Sequence, residues 1–171
     1  MPPTGGGRTV LGMRATVITV SNRSSRGERP DTSGPIAVAR LEAEGWEVDT
    51  ALIPDGVAEV EAGLRAALAA GARLIVTSGG TGVTPQDLTP EGTARVITTA
   101  LPGIAEAIRQ RGADKVPAAI LSRGLAGMVE SNAGGALIVN LPGSPGGVRD
   151  GIEVVLAVAR HAIEQFGGGD H

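Results

Sequence analysis

The residues best suited to chemistry are three glycines and three hydroxyl side chains in TSGGTG, residues 77–82. This motif follows an apolar β-like run, and in open α/β sheets ligands bind where the carboxyl ends of strands open onto a crevice. Glycines let successive backbone N–H groups turn toward one anion without interference from Cβ, so the loop can hold a phosphate. A tight turn without a ligand is the alternative interpretation. The motif is not a Walker loop, because the chain's one lysine, Lys115, lies far along the sequence.

Two aspartates, Asp55 and Asp87, are candidates for binding a metal ion near the glycine motif. Asp87 lies five residues beyond Gly82, just before a helix predicted to be capped by Thr89. Asp55, in LIPDG, follows the preceding predicted strand and is therefore expected at the same edge of a parallel sheet. Mg²⁺ prefers one or two carboxylates together with phosphate oxygens and water. The alternatives are a turn residue for Asp87 and a helix N-cap for Asp55.

Two further loops add polar groups at predicted strand ends. LPGSPGG, residues 141–147, starts a helix, and helix N-termini offer free N–H groups and a positive dipole end to anions. Helix capping alone is the alternative for this loop. SNRSSRG, residues 21–27, contributes hydroxyls together with Arg23 and Arg26, which either bind phosphate or are solvated.

The composition excludes several classes of function. Aromatic residues are limited to Trp46 and Phe166 and the net charge is −3, so we expect no nucleic-acid partner. The absence of cysteine excludes disulfides, thiolate metal sites and a cysteine nucleophile. The two histidines lie beside no plausible ligand or nucleophile set. No apolar run is long enough to span a membrane or to serve as a signal peptide, so we expect a cytoplasmic protein.

The elements that must position these loops alternate between β-like and helix-like segments, which predicts a parallel sheet covered by helices. Strands are predicted at 15–21, 46–53, 72–78, 125–131 and 136–141, the last two as an antiparallel pair, and helices near 33–45, after Asp55, at Thr89, from Pro102 to about Arg111 and from Ser144 onward. We expect a disordered leader over residues 1–13, one domain over 14–166 and a flexible tail over 167–171.

The chain resembles the MogA/MoaB family of molybdenum-cofactor biosynthesis proteins, which is related to gephyrin G domains. The motifs that carry this resemblance are LIPDG, TSGGTG with Asp87 five residues on, the TPE that follows, LSRG at 121–124 and NLPGSPGG. The resemblance runs from Thr16 to about Ala162. It implies a three-layer α/β/α sandwich with a mostly parallel sheet, usually trimeric. Catalytic members use MgATP to adenylate the terminal phosphate of molybdopterin and release pyrophosphate. Their product then receives molybdate from another protein.

The resemblance also implies roles for matching residues. Asp55 and Asp87 become the catalytic and Mg²⁺-binding residues, and substrate or nucleotide contacts fall on Ser21, Asn22, Ser78, Gly79, Gly80, Thr81, Gly82, Pro142, Gly143 and Ser144. A phosphate oxygen is already an anionic nucleophile, so a site without His, Cys or Lys is expected to suffice.

The chain departs from the family pattern at two positions. Many catalytic relatives carry Asp where this chain has Asn22, and Arg where it has Gln86. Fewer charges are therefore expected to contact the ligands. The alternatives to the enzyme are a non-catalytic, molybdopterin-binding MoaB-like paralogue and a trimeric scaffold.

Overall fold

A computed structural model describes residues 12–168. Most of the predicted leader and the last three residues of the predicted tail lie outside this range. Met13, the last residue of the predicted leader, contacts the fold: its carbonyl oxygen accepts a hydrogen bond of 2.9 Å from the backbone N–H of Glu47, and its side chain packs against the core.

One mixed sheet forms the centre of the molecule. Its strands are β1 (Arg14–Val20), β2 (Glu47–Ile53), β3 (Leu74–Ser78), β4 (Thr99–Ala100), β5 (Ala126–Ser131) and β6 (Gly134–Leu141), in the order β2-β1-β3-β6-β5-β4. The neighbours among β2, β1, β3 and β6 pair in parallel, whereas β5 is antiparallel to both β6 and β4. Every residue of β3 is buried, as expected for a central strand covered on both faces. The predicted antiparallel pair near the end is confirmed.

Helices cover both faces of the sheet, which confirms the three-layer α/β/α sandwich. They are α1 (Asn22–Ser25), α2 (Gly34–Ala43), α3 (Val57–Ala69), α4 (Thr89–Ala94), α5 (Pro102–Ala113) and α6 (Pro145–Phe166), with a 3₁₀ helix over Pro117–Leu121. One core cluster joins α2, α5 and α6 to the sheet, and a second joins α3 to the opposite face. The apolar stripe of α6 is entirely buried, at Val148, Ile152, Val155, Ala159 and Ile163.

The register of the parallel strands brings their carboxyl ends together. Val20 pairs with Ile53, Thr19 pairs with Ser78, and Ser78 pairs with Leu141. The segments that leave β1, β2, β3 and β6 therefore start at one edge of the sheet. Within residues 12–168, none of the helices combines the length and the apolar character that a membrane span requires.

Candidate functional site

Two adjoining cavities open at this edge of the sheet. The larger has a volume of about 580 Å³ and the smaller about 230 Å³. Gly80, Asp87 and Gly143 line both of them, so the glycine loop forms part of the boundary between the two. A ligand that spans the boundary would contact these three residues.

The glycine loop has a conformation that only glycine adopts readily. Gly79 and Gly80 have φ angles of 100° and 68°, in the left-handed region. A Cβ atom on Gly79 would lie 2.3 Å from the carbonyl oxygen of Val20, and one on Gly80 would lie 2.2 Å from Oγ1 of Thr89. The sequence requirement at both positions is therefore conformational and steric.

Thr89 fixes the loop by bonding to its carbonyl groups. Thr89 Oγ1 donates to the oxygen of Gly79 over 2.9 Å, and its backbone N–H donates to the oxygen of Gly80 over 3.1 Å. The prediction that Thr89 caps α4 is wrong, because Leu88 occupies the N-cap and Thr89 is the first helical residue. The Thr89 side chain, which was expected to cap the helix, instead donates its hydrogen bond to the oxygen of Gly79.

The backbone donors of the loop are available for a ligand. The N–H groups of Gly80, Thr81 and Gly82 donate to no other atom within residues 12–168. All three residues line the larger cavity, and Gly80 also lines the smaller one. Successive unpaired N–H groups in a glycine-rich turn form the kind of concavity that binds anions.

Asp55 lies at the wall of the smaller cavity and is held by a reciprocal contact with Asn22. Its Oδ2 accepts from the backbone N–H of Asn22 over 3.2 Å, and Asn22 Oδ1 accepts from the backbone N–H of Asp55 over 3.0 Å. The helix-cap alternative is wrong, because the N-cap of α3 is Gly56 and no side chain caps it. Burial raises the pKa of Asp55; the N–H of Asn22 opposes this effect, and the charge of Asp87 adds to it.

Asp87 both forms a local turn and faces the cavities. Its Oδ2 accepts from the backbone N–H and from Oγ1 of Thr84, at 3.0 and 2.8 Å, and its own N–H donates to the oxygen of Thr84. The turn alternative thus describes part of its role. Gln86 beside it is exposed. A Cβ atom on Gly82 would lie 2.7 Å from Oδ2 of Asp87, so this glycine permits the close approach of the carboxylate.

The donor set suits a magnesium ion bound with its substrate. Within residues 12–168, no three His, Asp or Glu side chains come together closely enough to hold a metal ion by themselves. Asp87 is close enough to Asp55 for its charge to raise the pKa of Asp55. Mg²⁺ commonly binds through one or two carboxylates and completes its shell with phosphate oxygens and water.

Arg123, from the LSRG segment, connects the glycine loop to the turn that carries Asp87. Its Nε donates to the oxygen of Gly82 over 2.8 Å, and its Nη2 donates to the oxygen of Asp87 over 2.6 Å. Nη1 forms an ion pair with the carboxylate of Glu91, and the backbone N–H of Arg123 donates to the oxygen of Thr81. The sequence motif gave no indication of this role, which depends on contacts across more than thirty residues.

The segment before α2 is a second feature that the sequence analysis missed. Asp31 accepts hydrogen bonds from Oγ1 of Thr19, over 2.6 Å, and from the backbone N–H groups of Ser33 and Gly34. Ser33 Oγ in turn donates to the oxygen of Gly143 over 2.7 Å. This segment therefore joins β1 to the loop before α6. An Asp placed just before a predicted helix start was the available signal.

The loop before α6 combines a cap with contacts to the glycine loop. Ser144 Oγ accepts from the backbone N–H of Gly147 over 3.1 Å, so Ser144 caps α6 as the sequence predicted. Ser78 Oγ donates to the oxygen of Pro142 over 3.3 Å. Pro142, Gly143 and Ser144 all line the larger cavity.

The charged side chains at the cavities differ from those expected. Arg29 lines the smaller cavity, whereas Arg26 is exposed and forms an ion pair with Glu28. Lys115 also lines the larger cavity, although no role at the site was predicted for it. Its distance from the glycine motif along the chain concealed this proximity.

The structure brings together nearly all the residues that the sequence analysis selected. Asp55, Asp87 and every predicted contact residue except Asn22 line one or both cavities. Asn22 instead bonds to Asp55 through both its backbone N–H and its side-chain oxygen.

This geometry is that of α/β proteins whose ligand sites lie at the carboxyl edge of parallel strands. Comparison with known proteins gives the family: residues 16–161 match the one described as "Probable molybdopterin binding domain", and the chain belongs to it.

Relatives and a solved structure agree with this assignment. The chain is 34% identical over 149 residues to a molybdopterin adenylyltransferase from Pyrococcus furiosus, covering 86% of this chain and 88% of that protein. It is 36% identical over 170 residues to a molybdenum cofactor biosynthesis bifunctional protein from Synechococcus elongatus, covering 99% of this chain but only 51% of that protein. The molybdopterin biosynthesis Mog protein from Mycobacterium ulcerans superposes with a TM-score of 0.82 at 44% identity, covering 91% of this chain and 99% of that one.

Proposed function

We propose that this protein acts in molybdenum cofactor biosynthesis by adenylating the terminal phosphate of molybdopterin with MgATP, releasing pyrophosphate. Family membership and a relative named molybdopterin adenylyltransferase support this reaction. The observation that carries the proposal is the pair of carboxylates, Asp55 and Asp87, beside a glycine loop with unpaired N–H groups. Such a pair is suited to a metal-bound nucleotide and is not needed merely to retain a pterin.

In the proposed reaction, an oxygen of the molybdopterin phosphate attacks the α-phosphorus of ATP. A new phosphorus–oxygen bond forms, and the bond from the α-phosphorus to the pyrophosphate oxygen breaks. No general base is needed, because the attacking phosphate oxygen is already ionised. Catalysis then consists of positioning and charge neutralisation.

The two cavities suggest how the reacting groups are arranged. Because Gly80, Asp87 and Gly143 line both cavities, we place the reacting phosphates at the boundary. The N–H groups of the glycine loop would donate to their oxygens. Asp55 and Asp87 would hold Mg²⁺, which when bound neutralises phosphate charge. The contact residues assigned by resemblance, from Ser21 to Ser144, would complete the binding surface.

We further propose that residues 14–166 act as one catalytic domain and that the protein is a cytoplasmic homotrimer. Its adenylated product would pass to a molybdate-inserting protein. The family resemblance supports these statements, and an ATP-dependent reaction fits a cytoplasmic location.

A second candidate function is molybdopterin binding without turnover, and Asn22 and Gln86 favour it. Each replaces a charged residue that many catalytic relatives carry. Asn22 contacts Asp55 directly, and Gln86 precedes Asp87. The site consequently contains fewer charges than the catalytic pattern.

Pyrophosphate release by the purified protein, with molybdopterin and MgATP, tests the proposal. We expect the native protein to release pyrophosphate and Asp87→Asn to lose this activity. Glu106→Gln is the matched control, because it removes one exposed carboxylate that lines neither cavity. Full activity in Asp87→Asn would contradict the assignment. Molybdopterin binding without release would support the non-catalytic paralogue, and neither binding nor release would support a scaffold.

A further inference from the structure

The larger cavity contains an ion pair that the proposed mechanism does not use. Lys115 Nζ lies 2.8 Å from Oδ1 of Asp150. The Lys115 side chain is 69% exposed, whereas that of Asp150 is 12% exposed. Both residues line the cavity that the glycine loop also borders. A buried carboxylate thus holds an accessible ammonium group at the cavity wall.

The backbone on both sides of this pair is fixed. The N–H groups of Lys115 and Val116 both donate to the oxygen of Gly112, which closes the end of α5. Asp150 belongs to α6 and follows the Ser144 cap by six residues. The ion pair therefore joins the end of α5 to the beginning of α6. Holding a long, flexible side chain in this way reduces the entropy lost when it binds a ligand.

The other cation that lines the larger cavity, Arg109, bonds to the protein through one of its three nitrogens. Arg109 Nη1 donates to the backbone oxygens of Ser122 and Gly124, at 3.3 and 3.2 Å. An ammonium group has three N–H donors, and the contact with Asp150 requires one. Lys115 therefore has donors left for a ligand, beside loops whose own charged groups are carboxylates.

We infer that Lys115 binds a phosphate oxygen of the substrate in the larger cavity and that Asp150 positions its ammonium group. The inference rests on the proposed adenylation. That reaction brings several anionic phosphate oxygens next to Asp55 and Asp87, and a cation at the wall of the cavity that Asp87 also lines offsets the repulsion. The ligand chemistry is a phosphate ester or anhydride, which either the terminal phosphate of molybdopterin or the phosphates of ATP can provide.

The single lysine allows a test that does not depend on activity. An acylating reagent modifies only Lys115 and the α-amino group, and mass spectrometry of peptides separates the two. We measure the acetylation rate of Lys115 with MgATP alone and with molybdopterin alone, using the α-amino group as the internal reference. The ligand whose phosphate contacts Lys115 should slow acetylation of Lys115 but not of the reference. Equal rates with and without both ligands would overturn the inference.

Kinetics of three variants provide the second test. Lys115→Met should lower kcat/KM for the substrate that gave protection by about ten- to hundredfold, the usual effect of losing a charged hydrogen bond. Lys115→Arg should recover part of this loss, because it restores the charge. Asp150→Asn should leave the ammonium unpositioned and raise KM more than it lowers kcat.

Arg160→Met is the matched control, because it breaks an ion pair with Glu164 on the same helix away from the cavity. Unchanged kinetics in Lys115→Met would refute the role of Lys115 while leaving the proposed function intact. If the native protein releases no pyrophosphate, the proposed function fails. The acetylation experiment then still decides whether Lys115 contacts either ligand.

Discussion

Replacing Arg123 with methionine tests whether the LSRG segment positions the glycine loop. Methionine keeps much of the apolar stem of arginine but removes all its donors. The change would eliminate the hydrogen bonds to the backbone oxygens of Gly82 and Asp87, together with the ion pair to Glu91. Both carbonyl groups belong to the loop and turn that line the cavities.

The size of the effect follows from the kind of contact. Each hydrogen bond from this partly exposed guanidinium to a carbonyl contributes about 1 kcal/mol, the typical net value for a hydrogen bond. The Arg123 and Glu91 side chains are 38% and 42% exposed, so their ion pair contributes only about 0–0.5 kcal/mol. We therefore expect Arg123→Met to lower the free energy of unfolding by about 2 kcal/mol.

Urea unfolding and amide hydrogen exchange measure the two consequences. Unfolding gives the loss of stability, and exchange over residues 80–91 reports whether the loop opens locally. Glu91→Gln is the matched control, because it removes the ion pair and leaves both carbonyl contacts in place. We expect it to change stability by about 0.5 kcal/mol or less.

Two results would refute this reasoning. If Glu91→Gln destabilised the protein as much as Arg123→Met, the ion pair rather than the carbonyl contacts would hold the loop. If Arg123→Met lost stability without faster exchange over residues 80–91, its contribution would be global and the positioning role would be wrong. The double variant should match Arg123→Met alone.

Two further predictions concern one partly buried and one buried polar side chain. Because burial and the charge of Asp87 raise the pKa of Asp55, the carboxyl group favours folding at low pH, and this contribution is lost as the pH rises through the raised pKa. Asp55→Asn should therefore abolish this pH-dependent loss of stability, measured by urea unfolding at several pH values, and it should also lose adenylation activity. An unchanged dependence of stability on pH would contradict the prediction. The Asn140 side chain donates to two buried threonine hydroxyls and accepts from the backbone N–H of Leu125. Replacing Asn140 with leucine should therefore lower the free energy of unfolding by about 3 kcal/mol. A loss below about 1 kcal/mol in thermal or urea unfolding would show that these groups find other partners.

The fold was predictable because its long elements have a clear hydrophobic pattern. The central strands are aliphatic and α6 carries a regular apolar stripe, so local sequence agrees with tertiary burial. Three short elements were not predicted: α1, β4 and the 3₁₀ helix over Pro117–Leu121. Elements of two to five residues contain too few positions to establish a period, and their conformation depends on neighbouring segments.

The candidate site was predictable where a motif directly follows a strand. TSGGTG, LIPDG and LPGSPGG each begin in the last residues of a parallel strand, and strand register places these strand ends at one edge. Lys115, Arg123 and Asp31 could not be assigned in this way, because their roles depend on contacts between segments far apart in sequence. The side chain of Thr89 could not be assigned from the sequence for the same reason, since it bonds to the oxygen of Gly79 and does not cap α4.

Asn22 shows how the structure changes the interpretation of a sequence difference. Its Oδ1 accepts from the backbone N–H of Asp55, a contact that an aspartate oxygen would make equally well. Asn22→Asp should therefore fold with unchanged urea stability at low pH. At neutral pH its added charge should raise the pKa of Asp55 further and lower the Mg²⁺ concentration needed for half-maximal pyrophosphate release. An unchanged Mg²⁺ requirement would show that position 22 only supports the loop, and the Asn at this position would then be no argument against catalysis.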